Sequence, residues 1–296
     1  MRQRPNFARG MRGFTIVELI IVIVITGVIA VSLAVVIRPT MDAYKDIRVR
    51  SDIADIADSA LRRMVRDVRL AVPNSIRIPN ASCFELVPTS AGGRYRMGPD
   101  VDNEALGCTP SATCSAPLQG GTTVTAIDSL SQLSPEPAVG DFLVINNQST
   151  NDVYEGTNRA TITNVQPAVR GRHRLTIPSM EFPTGYDGGR FTIVPASQKA
   201  VFYVCAGADG TVNSAGNGKG TLYRLSNRNF DPVYPSSCPS VTGADVVATR
   251  IKSCTFVYDP NQGATQQSGF IWMELAIARG NEVAMLAVGA HVQNAP

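Results

Sequence analysis

The sequence holds few of the side chains that most catalytic and metal sites use. It has only two histidines, His173 and His291, in 296 residues, although histidine is the commonest metal ligand and a frequent acid–base catalyst. None of the HExxH, GxSxG and GxxxxGKS/T motifs occurs. The glycine-rich stretch 216–220 lacks the flanking strand and helix that a phosphate-binding loop requires. We therefore expect no catalytic residue, no metal and no cofactor, and we expect that the protein is not an enzyme.

Charged residues are also scarce, at 17% of the chain compared with about a quarter in typical domains. The formal net charge is +3 at pH 7. Arg2, Arg4, Arg9 and Arg12 lie before residue 14 with no acidic residue among them, and the rest of the chain is close to neutral. A protein with this distribution of charge is not expected to bind nucleic acid.

Only one long apolar run is present, from Phe14 to Ile37, and it contains no proline and a single charge, Glu18. As a helix this run would be about 36 Å long, which is enough to cross a bilayer core of about 30 Å. The cationic segment before it is expected to stay in the cytoplasm by the positive-inside rule. The sequence therefore predicts a single membrane span, with the remainder of the chain exported.

Three interpretations of this run compete. A cleaved secretory signal usually has a shorter apolar region of about 7–15 residues, and a plain signal anchor leaves Glu18 unpaired. A charge at the centre of a membrane helix costs about 2.5–3.5 kcal/mol, so an unpaired carboxylate needs an explanation. If the chain is cut between Gly13 and Phe14, the new ammonium group lies four residues from Glu18. Such a group on a neighbouring, staggered helix would be a natural partner for the carboxylate.

The segment from Arg12 to Ile20 (RGFTIVELI), followed by an unbroken apolar run, resembles the class III signal of type IV pilins and pseudopilins. The resemblance implies that a prepilin peptidase cuts after Gly13 and N-methylates Phe14. It also implies that Glu18 forms a salt bridge with the terminal amine of an adjacent subunit. The implied partners are the peptidase, other major and minor pilins or pseudopilins, and an inner-membrane assembly platform. The implied location is the inner membrane, and a pilus or pseudopilus after assembly.

The chain is expected to divide into a leader peptide (1–13), a membrane-spanning half of a spine helix (14–37), an amphipathic second half (38–72) and an exported head (73–296). Pro39 is expected to end or kink the span. Apolar residues then recur at spacings of three and four up to Val68, which predicts a helical face that packs on the head. Pro73 is expected to close the helix.

The head is expected to be mostly antiparallel β-structure, so the predicted fold class is α+β. The last two strands flank Gly280-Asn281, which we interpret as a type II′ hairpin turn that places Arg279 opposite Glu282. Trp272 is expected in the core, and residues 88–138 and 207–220 are expected to be loops. The predicted strands are Cys83–Val87, Phe142–Asn146, Ala160–Val165, His173–Ile177, Phe191–Val194, Ala200–Cys205, Thr221–Leu225, Ser253–Tyr258, Gly269–Ala278 and Glu282–Val292.

The six cysteines contain no CxxC pair, so zinc ribbons and thioredoxin-type sites lack support. In an exported head all of them can oxidise. Sequence does not determine the connectivity; the pairs that we consider are Cys108–Cys114, Cys205–Cys238 and Cys83–Cys254. Asp100, Asp102 and Glu104 alternate in a predicted loop and could ligate calcium, but solvated acids are the favoured interpretation.

Several short segments are similar to the large minor pilin-like component of the mannose-sensitive haemagglutinin (MSHA) pilus system. This resemblance predicts a minor subunit that initiates or caps an MSHA-type pilus. A J-type minor pseudopilin of type II secretion, a pilus-tip adhesin and a membrane-anchored exported enzyme are the alternatives. The segments are Ala71–Ile78, Cys83–Pro88, Arg94-Tyr95, Tyr203–Cys205 and His291–Pro296.

Overall fold

A computed structural model describes residues 13–105, 107–185, 188–260 and 269–292. The chain forms two compact units, Met1–Val49 and Arg50–Pro296. The first long element is helix α1, Ile16–Arg69, of 54 residues. Among the described residues it is the one helix that is long and apolar enough to cross a membrane. The expected antiparallel head follows it, so the α+β prediction is confirmed.

Pro39 lies inside α1, and the helix does not end there. Ending at Pro39 was one of the two outcomes expected, and it is wrong. A proline in a helix interior costs roughly 3 kcal/mol because it removes one hydrogen bond and crowds the preceding turn. In a helix of this length the remaining backbone hydrogen bonds continue on both sides of the proline. The next residue, Thr40, donates its hydroxyl to the carbonyls of Val36 and Ile37 at 3.2 and 2.7 Å.

In the residues that the structure describes, fourteen strands follow α1, all in antiparallel pairs. They are β1 (Arg77–Asn80), β2 (Cys83–Leu86), β3 (Ala91–Arg94), β4 (Thr123–Ser129), β5 (Phe142–Ile145), β6 (Arg159–Thr161), β7 (Asn164–Pro167), β8 (His173–Glu181), β9 (Arg190–Val194), β10 (Ala200–Ala206), β11 (Gly220–Arg228), β12 (Asp245–Asp259), β13 (Phe270–Arg279) and β14 (Glu282–His291). A short helix α2 (Asp152–Glu155) lies between β5 and β6.

The main core lies between α1 and a seven-stranded sheet of order β1-β2-β10-β11-β12-β13-β14. The helix contributes a buried stripe at spacings of three and four, as the sequence pattern predicts. This stripe packs against alternate residues of the strands, such as Phe84, Leu222 and Met273. The residues of the stripe are Ile53, Ala57, Ala60, Leu61, Met64 and Val68.

A second lobe is inserted between β2 and β10, which are neighbours in the sheet although residues 87–199 separate them in sequence. This lobe has two small sheets, of order β3-β9-β5-β6 and β4-β8-β7. It has its own core, which includes Ile127, Leu143, Leu175 and Phe191. The expected loop at 88–138 is therefore wrong, because β3 and β4 lie within it.

The predicted strand Ala160–Val165 divides into β6 and β7, which belong to different sheets. The β13–β14 hairpin pairs Arg279 with Glu282 as expected. Its turn is not type II′, because φ is positive at both Gly280 (59°) and Asn281 (70°). Two positive φ values are the pattern of a type I′ turn, and asparagine tolerates this conformation better than most residues.

Cys108 pairs with Cys114, as expected. The other two expected pairs are wrong, because the structure joins Cys83 to Cys238 and Cys205 to Cys254. The reason is the side of the sheet that each residue occupies. Cys83 and Cys238 pack with the cluster on the face away from α1, whereas Cys205 and Cys254 pack with the core beneath the helix.

Trp272 is not in the core, and 41% of its surface is exposed. Its neighbours Ile271 and Met273 are fully buried against α1, so the alternation of a strand directs Trp272 to the opposite face. The prediction failed because β13 has apolar residues on both faces, with Glu274 the exception on the face of Trp272.

Candidate functional site

The candidate functional site is the segment from Gly13 to Glu18, at the start of α1. Gly13, Phe14 and Thr15 precede the helix, which begins at Ile16. The side chain of Phe14 is 78% exposed. The peptide bond between Gly13 and Phe14 therefore lies in an accessible, non-helical stretch, which is the kind of backbone that a peptidase can enter.

Glycine at position 13 is not required by the fold. No atom of the described chain lies within 4 Å of the position that a Cβ at Gly13 would occupy. The described chain therefore leaves space for a larger side chain at this position. A requirement for glycine at this position would come from a processing enzyme and not from packing.

Glu18 is tied to Thr15 by reciprocal hydrogen bonds. The N–H of Glu18 donates to Thr15 Oγ1 at 3.2 Å, while the N–H and the hydroxyl of Thr15 donate to Glu18 Oε2 at 3.4 and 3.3 Å. This arrangement is a capping box, which satisfies N–H groups that have no partner in the first helical turn. It holds the carboxylate at the helix N-terminus, where the helix dipole favours a negative charge.

The capping box was missed at the level of sequence, although its signature is visible there. A threonine followed three residues later by glutamate, just before an apolar run, is the usual pattern. Within the described residues the hydrogen bonds to Glu18 use only Oε2, which leaves Oε1 for another donor. The predicted salt bridge between Glu18 and the amine of a neighbouring subunit needs a second chain, so it stays a prediction.

A polar cluster fastens the last turns of α1 to the sheet. Asp67 Oδ2 accepts hydrogen bonds from the hydroxyl of Tyr203 on β10 and from Nε of Arg224 on β11, both at 2.8 Å. Burial and the adjacent carboxylate raise the pKa of Tyr203 above its ordinary value, so its hydroxyl stays a donor. The cluster therefore fixes the rotation of the helix on the sheet.

A second polar cluster joins the sheet, the inserted lobe and the segment after β11. Arg77 on β1 and Glu85 on β2 form a buried ion pair at 3.0 Å. The guanidinium of Arg77 lies 3.3 Å from the ring centroid of Tyr154 on α2 and donates to the carbonyls of Asp231 and Val233. Burial raises the pKa of Glu85 to about 7 in spite of the nearby Arg77.

Two of the three acidic residues considered for calcium, Asp100 and Glu104, are engaged with protein donors. Glu104 accepts hydrogen bonds from the backbone and hydroxyl of Ser115 at 2.8 and 2.7 Å, and these bonds lower the pKa of Glu104. Asp100 accepts from Asn103 and lies 3.5 Å from Nε of Arg170. Asp102 joins no metal-binding group, because the described parts of the chain hold no cluster of three histidine, cysteine or acidic side chains suited to a metal ion.

Each of the two histidines contacts neighbouring side chains or backbone of the head. His173 Nε2 accepts from the N–H of Leu133 at 3.3 Å and lies 3.0 Å from the side-chain amide of Gln132. These contacts fix the ring of His173 beneath the 131–136 segment. The ring of His291 lies against that of Phe270, with centroids 4.9 Å apart.

Comparison with known proteins gives one finding, at the N-terminus. Residues 8–34 match the family model described as the prokaryotic N-terminal methylation motif. The match includes Gly13, Phe14 and Glu18, and it supports a type IV pilin-like or pseudopilin protein. Proteins with this motif are structural subunits and not enzymes, and the motif implies processing by prepilin peptidase and assembly with other pilins. No curated protein and no solved structure gives a significant match to the chain.

Proposed function

We propose that this chain is a minor pilin-like subunit that helps to initiate or cap an MSHA-type pilus. Its action is association with other subunits, and the head stays outside the membrane. The observation that carries the proposal is the accessible Gly13–Phe14 bond directly before the Thr15–Glu18 capping box, within the segment that matches the methylation motif.

Cleavage at this bond changes the charge at the membrane surface. It removes the four arginines of the leader, which favour retention of the N-terminus in the cytoplasm, and it leaves a single ammonium group on Phe14. The new end no longer carries a strongly hydrated tail, so the helix can move from the bilayer into a filament. Thr15 holds one oxygen of Glu18, and the other is open to the amine of an adjacent subunit.

The size of the head favours a minor position in the filament. Residues 73–296 build two lobes with separate cores, and a head of this size would obstruct repeated stacking around a common axis. A position at the tip or at the start of the filament avoids this obstruction. The same feature is compatible with a J-type minor pseudopilin or a tip adhesin, so the test must separate these roles.

The proposal is tested by deleting the gene and restoring it with the natural chain, with Glu18→Ala or with Glu18→Gln. We expect few or no MSHA pili and normal type II secretion in the deletion strain, with rescue by the natural chain only. Lost secretion with normal pili would identify a pseudopilin. Normal numbers of pili that fail to adhere would identify an adhesin.

A further inference from the structure

The strand β14 (Glu282–His291) forms one edge of the seven-stranded sheet and has ten residues. It pairs with β13 in a regular register from Arg279–Glu282 to Phe270–His291, without a bulge. Its other side lies at the end of the sheet. An edge strand of this length and regularity exposes a row of peptide groups that another strand can pair with.

The hydrogen-bond pattern between β13 and β14 shows which peptide groups of β14 point away from the sheet. The N–H of Val292 donates to the carbonyl of Gly269 at 3.2 Å, so this pair is of the hydrogen-bonded type. Because such pairs alternate along an antiparallel ladder, every second residue of β14 directs its N–H and C=O away from β13. These residues are Val283, Met285, Ala287, Gly289 and His291. In the part of the chain that the structure describes, nothing is hydrogen-bonded to their peptide groups.

The opposite edge of the same sheet is protected. On β1, the N–H of Ile78 donates to the hydroxyl of Tyr234 at 2.9 Å. As far as the described residues show, the edge at β14 contains no proline, no bulge and no charged residue between Glu282 and His291. Glu282 itself is paired with Arg50 at 2.6 Å. Its charge is therefore neutralised and does not repel a strand that approaches the edge.

The face beside this edge exposes large apolar side chains, and it also carries Glu274, opposite Ala287. Met285 is 62% exposed, Val257 53% and Trp272 41%, and the register places Val257 beside Trp272 and Trp272 beside Gly289. A strand added at β14 would therefore bring its own alternate side chains next to Met285. The absence of charge along the edge favours uncharged, apolar residues at those positions.

We propose that β14 is completed by an extended segment from the head of a different pilin-like subunit. This inference rests on the proposed function, which supplies neighbouring subunits. A second copy of this chain is a poorer occupant. Antiparallel pairing of two β14 strands has a two-fold axis perpendicular to the sheet, which reverses the direction of α1 residues 50–69 in the second copy. The helices of the subunits in a filament need to run in the same direction. The contact at β14 must therefore join β14 of one subunit to a different surface of its neighbour.

The test places a photo-crosslinking amino acid at Met285 of the full chain in cells that assemble pili. The matched control position is Val246 on β12, which is 56% exposed and lies away from the β14 edge. Irradiation should join Met285, but not Val246, to another protein that carries an N-terminal methylation motif, identified by mass spectrometry. An adduct with a second copy of this chain, an adduct with an unrelated protein, or no adduct would overturn the proposal.

Backbone pairing is tested by Ala287→Pro, which removes an outward N–H but no bond to β13. Loss of this donor should lower the yield of the Met285 adduct by about tenfold, while Ala287→Ser, which keeps the donor, should not. If the proline variant fails to fold, Ala287→Lys, which puts a charge on the same edge, should also lower the yield of the Met285 adduct, while the control Val246→Lys should not. An adduct yield unchanged by Ala287→Pro would exclude strand addition.

The mature N-terminus is determined in the same cells. If it is Phe14 and pili form, a missing adduct refutes the β14 inference alone. If the chain is not cut at Gly13, the proposed function itself fails.

Discussion

Replacing Glu85 with glutamine should remove much of the pH dependence of stability between about pH 5 and 8. Glutamine mimics the protonated acid and fits the same space beside Arg77. Burial raises the pKa of Glu85 from 4.5 to about 7. The folded protein therefore holds this proton more tightly than the unfolded chain does. The contribution to stability is complete below the unfolded pKa and is lost as the pH rises through about 7.

The size of the effect follows from the change in pKa. At about 1.4 kcal/mol per pKa unit, a rise from 4.5 to about 7 corresponds to roughly 3 kcal/mol. The charged groups near Glu85 have opposite effects on its pKa. Arg77 and Arg228 lower its pKa and Asp231 raises it, but burial of the carboxylate is the largest contribution. For a head of this size the difference corresponds to roughly 6–12 °C in melting temperature.

The assay is thermal unfolding of the full chain in detergent at pH 5, 6, 7 and 8. The single tryptophan, Trp272, reports on β13 by fluorescence. The natural chain should lose stability relative to Glu85→Gln as the pH rises. Glu155→Gln, at an exposed position, should follow the natural chain at each pH. The reasoning would be refuted if the natural chain gained stability over Glu85→Gln between pH 5 and 8.

Two further predictions concern α1. Asp67→Ala should lower the free energy of unfolding by about 3 kcal/mol, because it leaves Arg224 buried without its carboxylate partner, although Arg224 still donates to Gln198. Asp58→Ala, which removes an exposed pair, should cost much less than Asp67→Ala, and equal costs in denaturant titrations would contradict the assignment. Thr15→Ala should weaken the first turn of α1 by about 1 kcal/mol, with faster amide exchange at Ile16–Glu18 and recovery in Thr15→Ser. Unchanged exchange in Thr15→Ala would exclude the capping box.

The elements that sequence predicts well are those with a single buried face. The stripe from Ile53 to Val68 has helical spacing and packs on the sheet as expected. The hairpin at Gly280 was recognised because two apolar runs flank a two-residue turn. The turn type was assigned wrongly, because glycine in the first position suits both alternatives and only the φ of Asn281 distinguishes them.

In the inserted lobe, β5, β8 and β9 overlap predicted strands, whereas β3 and β4 were much harder to predict. Strand β3 is Ala-Gly-Gly-Arg, which has no alternation of apolar residues, and the serine and threonine around β4 are typical of loops. The strand that pairs with β3 is β9, almost a hundred residues away in sequence. A pairing over such a distance leaves no signal in the local sequence. The two disulfide predictions that link distant cysteines, Cys205–Cys238 and Cys83–Cys254, failed for the same reason, since the face that a cysteine occupies depends on strand register.

The N-terminus of the mature protein tests the central claim most directly. Mass spectrometry should be performed on the protein from cells with and without prepilin peptidase. We predict an N-methylated Phe14 in the first case and an uncut leader in the second. A chain that still begins at Met1 in the presence of the peptidase would contradict the assembly role proposed for Glu18. A chain that has lost the apolar run, as a cleaved secretory signal would be lost, would contradict it as well.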